Sequence, residues 1–311
     1  MVATDLKGRD FLSIHDFTPE AIAQILDTAA MLKLRQKAGL TDQPLRGKTL
    51  GMIFQKSSTR TRISFEVAMW QLGGYALYLS ANELQLKRGE TIADTARVLS
   101  RYLDGIMIRT YSHEEVVELA RYAEIPVING LTDLLHPCQV MADLMTVAEK
   151  RGRLAGLRLA YVGDGNNMAH SLMFGGAKTG MHVAIATPTS YRPDPGIVEA
   201  ARSDARATGA RIEVVEDPGV AVKGADVVYT DVWASMGQES QAEEKRKALQ
   251  TYQVNPKLMA LAKAEAIFLH CLPAHRGEEV TDEVMDGPHS AVWDQAENRL
   301  HVQKAILALV M

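Results

Sequence analysis

"TLGMIFQKSSTRTRISFEVAMWQLGG", residues 49–74, reads as a β-strand that runs straight into a helix. The opening run, 49–54, is short and apolar with little alternation, the pattern of a strand covered on both faces. From Ile63 a helix-like pattern follows, "ISFEVAMWQLGG" (63–74). Between the two, three cations (Lys56, Arg60 and Arg62) are crowded among four hydroxyls, Ser57, Ser58, Thr59 and Thr61. A helix N-terminus offers unpaired N–H groups and the positive end of its dipole. Hydroxyls and a forked guanidinium added there make a site for a tetrahedral oxyanion. A capped helix with solvated arginines uses the same residues, and spacing alone does not choose between the two. The density of donors and the lack of an acid before Glu66 speak for the anion.

The same strand–helix alternation continues along the chain. Further strands are expected at 74–79, 105–110 and 126–131 in the first half, with helices at 91–103 and 113–124 between them. In the second half strands are expected at 157–163, 182–188, 210–216, 225–232 and 266–272. Apolar strands alternating with helices predict an α/β fold of two domains, each a parallel sheet of roughly five strands with helices on both faces. The join runs through a helical stretch at 136–156, and 296–311 carries a last helical stripe, Leu300, Ile306, Leu307 and Val310. In such sheets ligands sit beyond the carboxyl ends of the strands, so polar residues directly after strands carry the most weight.

The 311 residues allow two cores, and 47% hydrophobic with 23% charged residues is an ordinary globular balance. A net charge of −4 with no long basic stripe argues against nucleic acid as a partner. Two cysteines, Cys138 and Cys271, cannot build a disulfide framework and fit a reducing compartment. No run approaches the ~20 apolar residues of a membrane span, and the first residues have no signal-peptide pattern, so a cytoplasmic protein is expected. His270, His275 and His289 are scattered, which implies no metal. "GDGNN" (163–167) starts like a dinucleotide loop, but Met168 stands where the third glycine belongs, so no nucleotide cofactor is expected.

Six motifs taken in order, "SSTRTR" (57–62), "HPCQ" (136–139), "DGNNMAHS" (164–171), "DVWASMGQE" (231–239), "HCLPAHRGEEV" (270–280) and "AENRL" (296–300), resemble the ornithine carbamoyltransferase family. The "STRTR" and "HPxQ" parts are shared with the aspartate branch, whereas "SMG" and "HCLP" resemble the ornithine branch alone. The resemblance implies attack by the δ-amine of L-ornithine on carbamoyl phosphate, without a cofactor. It implies that Ser58, Thr59, Arg60 and Thr61 bind the phosphate with Arg109 and Arg299, and that Gln85 reaches it from a neighbouring subunit. Arg109, Thr61 and His136 match the donors to the carbamoyl oxygen, and Gln139 with the Leu272 carbonyl matches the holders of its nitrogen. Asn167, Asp231, Ser235 and Met236 match contacts to ornithine, with Cys271 beside the reacting atoms. A carbamoyl phosphate domain (1–149, with the C-terminal helix 290–311), an ornithine domain (150–289) and a homotrimer with sites near subunit boundaries are also implied.

Taken one at a time, these residues have plainer readings. A lone His before Pro, an Asp at a strand end and a Cys after a buried strand are common as loop, turn and packing residues. The rival functions are a sibling enzyme acting on aspartate, N-acetylornithine or putrescine, a non-catalytic anion-binding relative, and a nicotinamide-dependent dehydrogenase.

Overall fold

Two all-parallel sheets organise the chain, and the loops at their carboxyl ends hold nearly every residue singled out above. The computed structural model describes residues 4–81, 84, 89–234, 237 and 239–311. By contact density the chain divides into two compact units, Met1–Met145 with Glu297–Met311, and Thr146–Ala296. The first unit holds α1 (Pro19–Lys37), β1 (Thr49–Phe54), α2 (Thr59–Gln71), β2 (Tyr75–Ser80), α3 (Ile92–Tyr102), β3 (Gly105–Arg109), α4 (His113–Tyr122) and β4 (Val127–Leu131). Helix α5 (Pro137–Arg151) leads out of it. The second unit continues with β5 (Arg158–Val162), α6 (Asn167–Thr179), β6 (His182–Ala186), α7 (Pro195–Ala205), β7 (Ile212–Val215), α8 (Pro218–Val222) and β8 (Val227–Thr230). It ends with α9 (Ala242–Leu249), α10 (Pro256–Met259), β9 (Ile267–His270) and α11 (Asp282–Met285), and α12 (Val292–Val310) returns the chain to the first unit.

The first sheet has the order β2-β1-β3-β4 and the second β7-β6-β5-β8-β9, all pairs parallel. The first therefore has four strands and the second five among the described residues, one at each segment where a strand was expected. Every residue of β3 and β4 is buried, so both faces of these strands are covered. On one side Ile53, Ile106 and Ile108 pack with Leu103, Leu119 and Val127. In the second sheet Val162, Val228 and Phe268 share a core with Trp233, Tyr252 and Met285.

Each strand order reverses direction once. In the first sheet the chain steps from β1 outward to β2 and from β3 outward to β4, so the loops after β1 and β3 diverge. In the second the divergence falls between the loops after β5 and β8. Such points leave a crevice at the carboxyl edge of the sheet. The first receives residues 55–59 and Arg109, the second Asp164–Asn167 and Asp231.

Candidate active site

In the first unit, α2 begins at Thr59, four residues before its apolar pattern does. Ser58 is its cap, with Oγ accepting the Thr61 N–H at 3.2 Å, so Thr59–Arg62 form the first turn. Thr61 is buried, and its Oγ1 lies 3.2 Å from Ser58 Oγ and accepts from Arg299 Nη2 at 3.2 Å. The other arm of Arg299, Nη1, donates to Gln139 Oε1 at 2.7 Å, and Gln139 Nε2 donates to Asp143 at 2.8 Å. One guanidinium from α12 thus ties the starts of α2 and α5 together. Arg62 belongs elsewhere: it is exposed, pairs with Glu66 at 2.9 Å and lies over the Tyr78 ring.

Arg109, buried, ends β3 where the β3–β4 register shifts, and its carbonyl accepts from Gln55 N–H at 2.8 Å. His136 sits just before Pro137 at the start of α5, as the "HP" pair predicts. Burial holds its imidazole well below the usual histidine range, and the charges of Arg299, Arg109, Arg60 and Lys56 push the same way. His136 is therefore a neutral ring inside a shell of four cations, able to donate one N–H without adding charge. Lys56 was legible only as part of the basic cluster. It is 3% exposed, lies over the Tyr111 ring at 4.3 Å and is hydrogen-bonded to Asp133.

In the second unit the chain leaves β5 through Gly163–Asn166. A Cβ on Gly165 would come within 2.3 Å of Pro193 N and 2.5 Å of Tyr191 O, so only glycine lets this loop approach that backbone. Asn166 caps α6 with its Oδ1, accepts from the buried Tyr161 hydroxyl at 3.3 Å and donates Nδ2 to Asp231 Oδ2 at 3.0 Å. Asn167, the first residue of α6, is buried beside it. Burial, with the charges of Asp231 and Asp164 behind it, holds the Tyr161 phenol well above its ordinary range, so it stays a donor. Asp231 is 5% exposed and also accepts from Cys271 Sγ at 2.8 Å through Oδ1. A carboxylate thus stands directly against the thiol, a partner that sequence spacing does not reveal.

The turn after β9 has its own support. Leu272 adopts φ 59°, a left-handed conformation unusual for leucine. Its N–H donates to His270 Nδ1 at 2.8 Å, which leaves the proton on Nε2, 3.2 Å from Glu279. Glu279 also accepts from the His275 N–H at 2.5 Å, and the His270 N–H donates to Gln295 at 2.9 Å. Glu279, inside the 270–280 motif, and Gln295, 25 positions from His270 and outside every motif, were given no role by sequence reasoning.

Folding gathers donors that looked scattered. Ligand atoms of Asp231, His270 and Cys271 lie within 4.8 Å of one another, as do those of His275, Glu278 and Glu279. Both ring nitrogens of His270 are already engaged, however, so it offers no lone pair to an ion. Gln85, Ser235 and Met236, the remaining expected contacts, lie outside the described residues.

The first unit thus holds a cationic cluster (Ser58, Arg60, Thr61, Arg109, His136, Gln139, Arg299), and the second, by itself, an acidic, thiol-bearing one (Asn167, Asp231, Cys271, Leu272). Comparison with known proteins also divides the chain in two, though it leaves 297–310 with the second part, whereas the structure packs them with the first unit. The family model described as "Aspartate/ornithine carbamoyltransferase, carbamoyl-P binding domain" matches residues 9–149, and that described as "Asp/Orn binding domain" matches 155–310. An ornithine carbamoyltransferase of Symbiobacterium thermophilum is 65% identical over 99% of both chains. A Pyrococcus furiosus protein named "Ornithine carbamoyltransferase, anabolic" is 60% identical over 100% of this chain and 98% of its own. The solved P. furiosus structure superposes with a TM-score of 0.97 over 99% of both chains.

Proposed function

The chain belongs to the aspartate/ornithine carbamoyltransferase family, and from that premise we propose that it is an ornithine carbamoyltransferase, transferring the carbamoyl group of carbamoyl phosphate to the δ-amine of L-ornithine to give L-citrulline and phosphate. The observation that carries this reading is the pairing of chemistries. A neutral imidazole in a shell of four cations suits an anionic acyl donor, and a buried carboxylate against a thiol suits an amine.

Carbamoyl phosphate binds to Ser58, Thr59, Arg60, Thr61, Arg109 and Arg299. Arg109, Thr61 and His136 donate to the carbamoyl oxygen as it gains charge, where losing one donor typically costs ~3–4 kcal/mol. Gln139 and the Leu272 carbonyl hold the carbamoyl nitrogen. Asn167, Asp231, Ser235 and Met236 hold the amino and carboxylate groups of ornithine. A free alkyl amine at neutral pH costs about 4–5 kcal/mol against its ordinary pKa, and Asp231 with Cys271 orients the neutral form. The amine lone pair forms the new C–N bond, the C–O bond to phosphate breaks, and the amine proton leaves with the phosphate.

The assembly is a homotrimer in which Gln85 reaches a neighbour's site. Supporting this, β2 is an edge strand that shows Tyr75 and Leu77 to solvent, and α3, which follows it in the chain, leaves Val98 and Tyr102 exposed. Among the described residues no helix is long and apolar enough to cross a membrane. A cytoplasmic location and the synthetic direction complete the reading. It rests on the thiol chemistry of Cys271 and on the word "anabolic" in the name of the P. furiosus relative.

The test is colorimetric measurement of ureido product from purified protein with carbamoyl phosphate and, in turn, L-ornithine, N-acetylornithine, putrescine and L-aspartate. Ornithine should be preferred over each of the others by at least about 100-fold in kcat/KM. Preference for another amine would replace this reading with a sibling activity, and no product from any would leave a binding protein.

A further inference from the structure

We propose that the buried ion pair Asp164–Lys245 positions the amino-acid substrate, setting its affinity by fixing the far end of the chain segment that begins at Asp231. The proposal deepens the functional reading above and rests on it. Lys245 Nζ lies 2.5 Å from Asp164 Oδ2, and the two side chains are 4% and 9% exposed. Two other lysine pairs of this unit, Lys178–Asp204 and Lys263–Asp226, each have a side chain a tenth or more exposed. A buried ion pair is a poor stabiliser, since desolvation consumes most of the attraction. Its presence therefore calls for a geometric reason.

Chain topology supplies one. The segment after β8 begins at Asp231 and leads through a 3-10 turn, Glu239–Gln241, into α9, whose fourth residue is Lys245. Two residues of one loop grip both ends: Asn166 Nδ2 bonds Asp231 at 3.0 Å and Asp164 bonds Lys245. That loop is a fixed post. Its Gly165 N–H donates to Tyr191 O at 2.8 Å, Asn166 is committed to capping α6, and Lys245 Nζ also lies 5.5 Å from the Tyr191 ring centre. Asp231, the residue proposed to meet the amino acid's ammonium group, is thus held by the same loop that holds Lys245.

Charge points the same way. Burial and the nearby Asp231 push the Asp164 carboxyl up, against the pull of Lys245. With Lys245 in place Asp164 is neutralised locally, and Asp231 is the carboxylate left to receive an ammonium group. Without it, either two carboxylates compete for that group or Asp164 takes a proton and releases α9.

The experiment compares K245M, K245R, D164N and the double variant D164N/K245M by two-substrate steady-state kinetics with thermal melts. K245M and D164N should raise the ornithine KM at least about tenfold while kcat and the carbamoyl phosphate KM stay within about threefold, and K245R should recover most of the loss. The double variant leaves no buried charge unpaired, so it should fold even if K245M does not, and it should still bind ornithine poorly. An unchanged ornithine KM in K245M or in the double variant, or a K245R as poor as K245M, would overturn the proposal. A wild type that makes no citrulline would instead overturn the functional reading. The pair is then judged by calorimetric binding of L-norvaline, which should be lost in the double variant, and equal binding would sink it.

Discussion

Arg299 makes two charge-assisted bonds that no other residue type could make together, one to Gln139 and one to Thr61. A planar fork reaches both at once, whereas the compact ammonium of lysine reaches one. R299K should therefore leave Gln139 or Thr61 misplaced, costing about 1–3 kcal/mol in urea unfolding and raising the Kd for carbamoyl phosphate at least about tenfold. Equilibrium dialysis with the labelled anhydride reads the second effect, and unchanged uptake would make Arg299 a stabilising residue alone. Cys271 tests the other half. Its thiol bonds Asp231, and its neighbour Leu272 is pinned by His270, so C271A removes one donor and leaves the turn in place. Turnover should fall at least about tenfold and ornithine KM should rise, with carbamoyl phosphate Kd unchanged. Kinetics identical to wild type would take Cys271 out of the reaction.

At the scale of elements, α12 carries an ionisable group placed for packing. Burial, reinforced by Lys33, holds His301 down to about 4, against the pull of Glu297. The unfolded chain takes up that proton near pH 6.5, the folded one only near 4. Unfolding therefore binds a proton throughout that interval, and stability drops as pH falls from about 6.5 towards 4. His136 acts with the same sign. H301Q should flatten the slope of melting temperature against pH in this window without abolishing it, because His136 remains. A variant slope equal to that of the wild type would rule out His301 as a contributor. Strands and helix faces were legible in the sequence because burial selects apolar runs: all nine strands fall within two residues of the expected ends. The start of α2 was not, because Thr59–Arg62 are hydroxyls and cations rather than apolar residues, and apolar periodicity is blind to such a turn. Arg109, His136 and Asp231 were named through the resemblance, since each alone reads as a surface, loop or turn residue. Asn166 and Glu279 stood inside quoted motifs without a role, and Lys245 stood outside all six, because their partners arrive from other parts of the chain.

At the scale of the whole molecule, the first sheet leaves a problem that one chain does not solve. Strand β2 lies at an edge, and its Tyr75 is 65% exposed, while Tyr102 at the end of α3 is 76% exposed. The two elements share a cluster beneath, through Leu79, Leu99 and Leu103, so the exposed side chains belong to one supported surface. An apolar edge strand invites pairing or aggregation, and native chains blunt it with charge or cover it. Here tyrosine, leucine and valine stand where lysine or proline would protect a monomer, so another copy is the natural cover. The double substitution L77K/Y102E removes that apolarity and sets opposite charges on an exposed surface, where each change should cost the isolated fold only about 0.5 kcal/mol. Light scattering should then fall from three times the 34.1 kDa of one chain towards a single copy. Citrulline formation should drop in parallel, because a neighbour's Gln85 is part of the proposed site, and titrating protein concentration should restore some of both. Full activity in a demonstrated monomer would separate catalysis from assembly and remove Gln85 from the phosphate site.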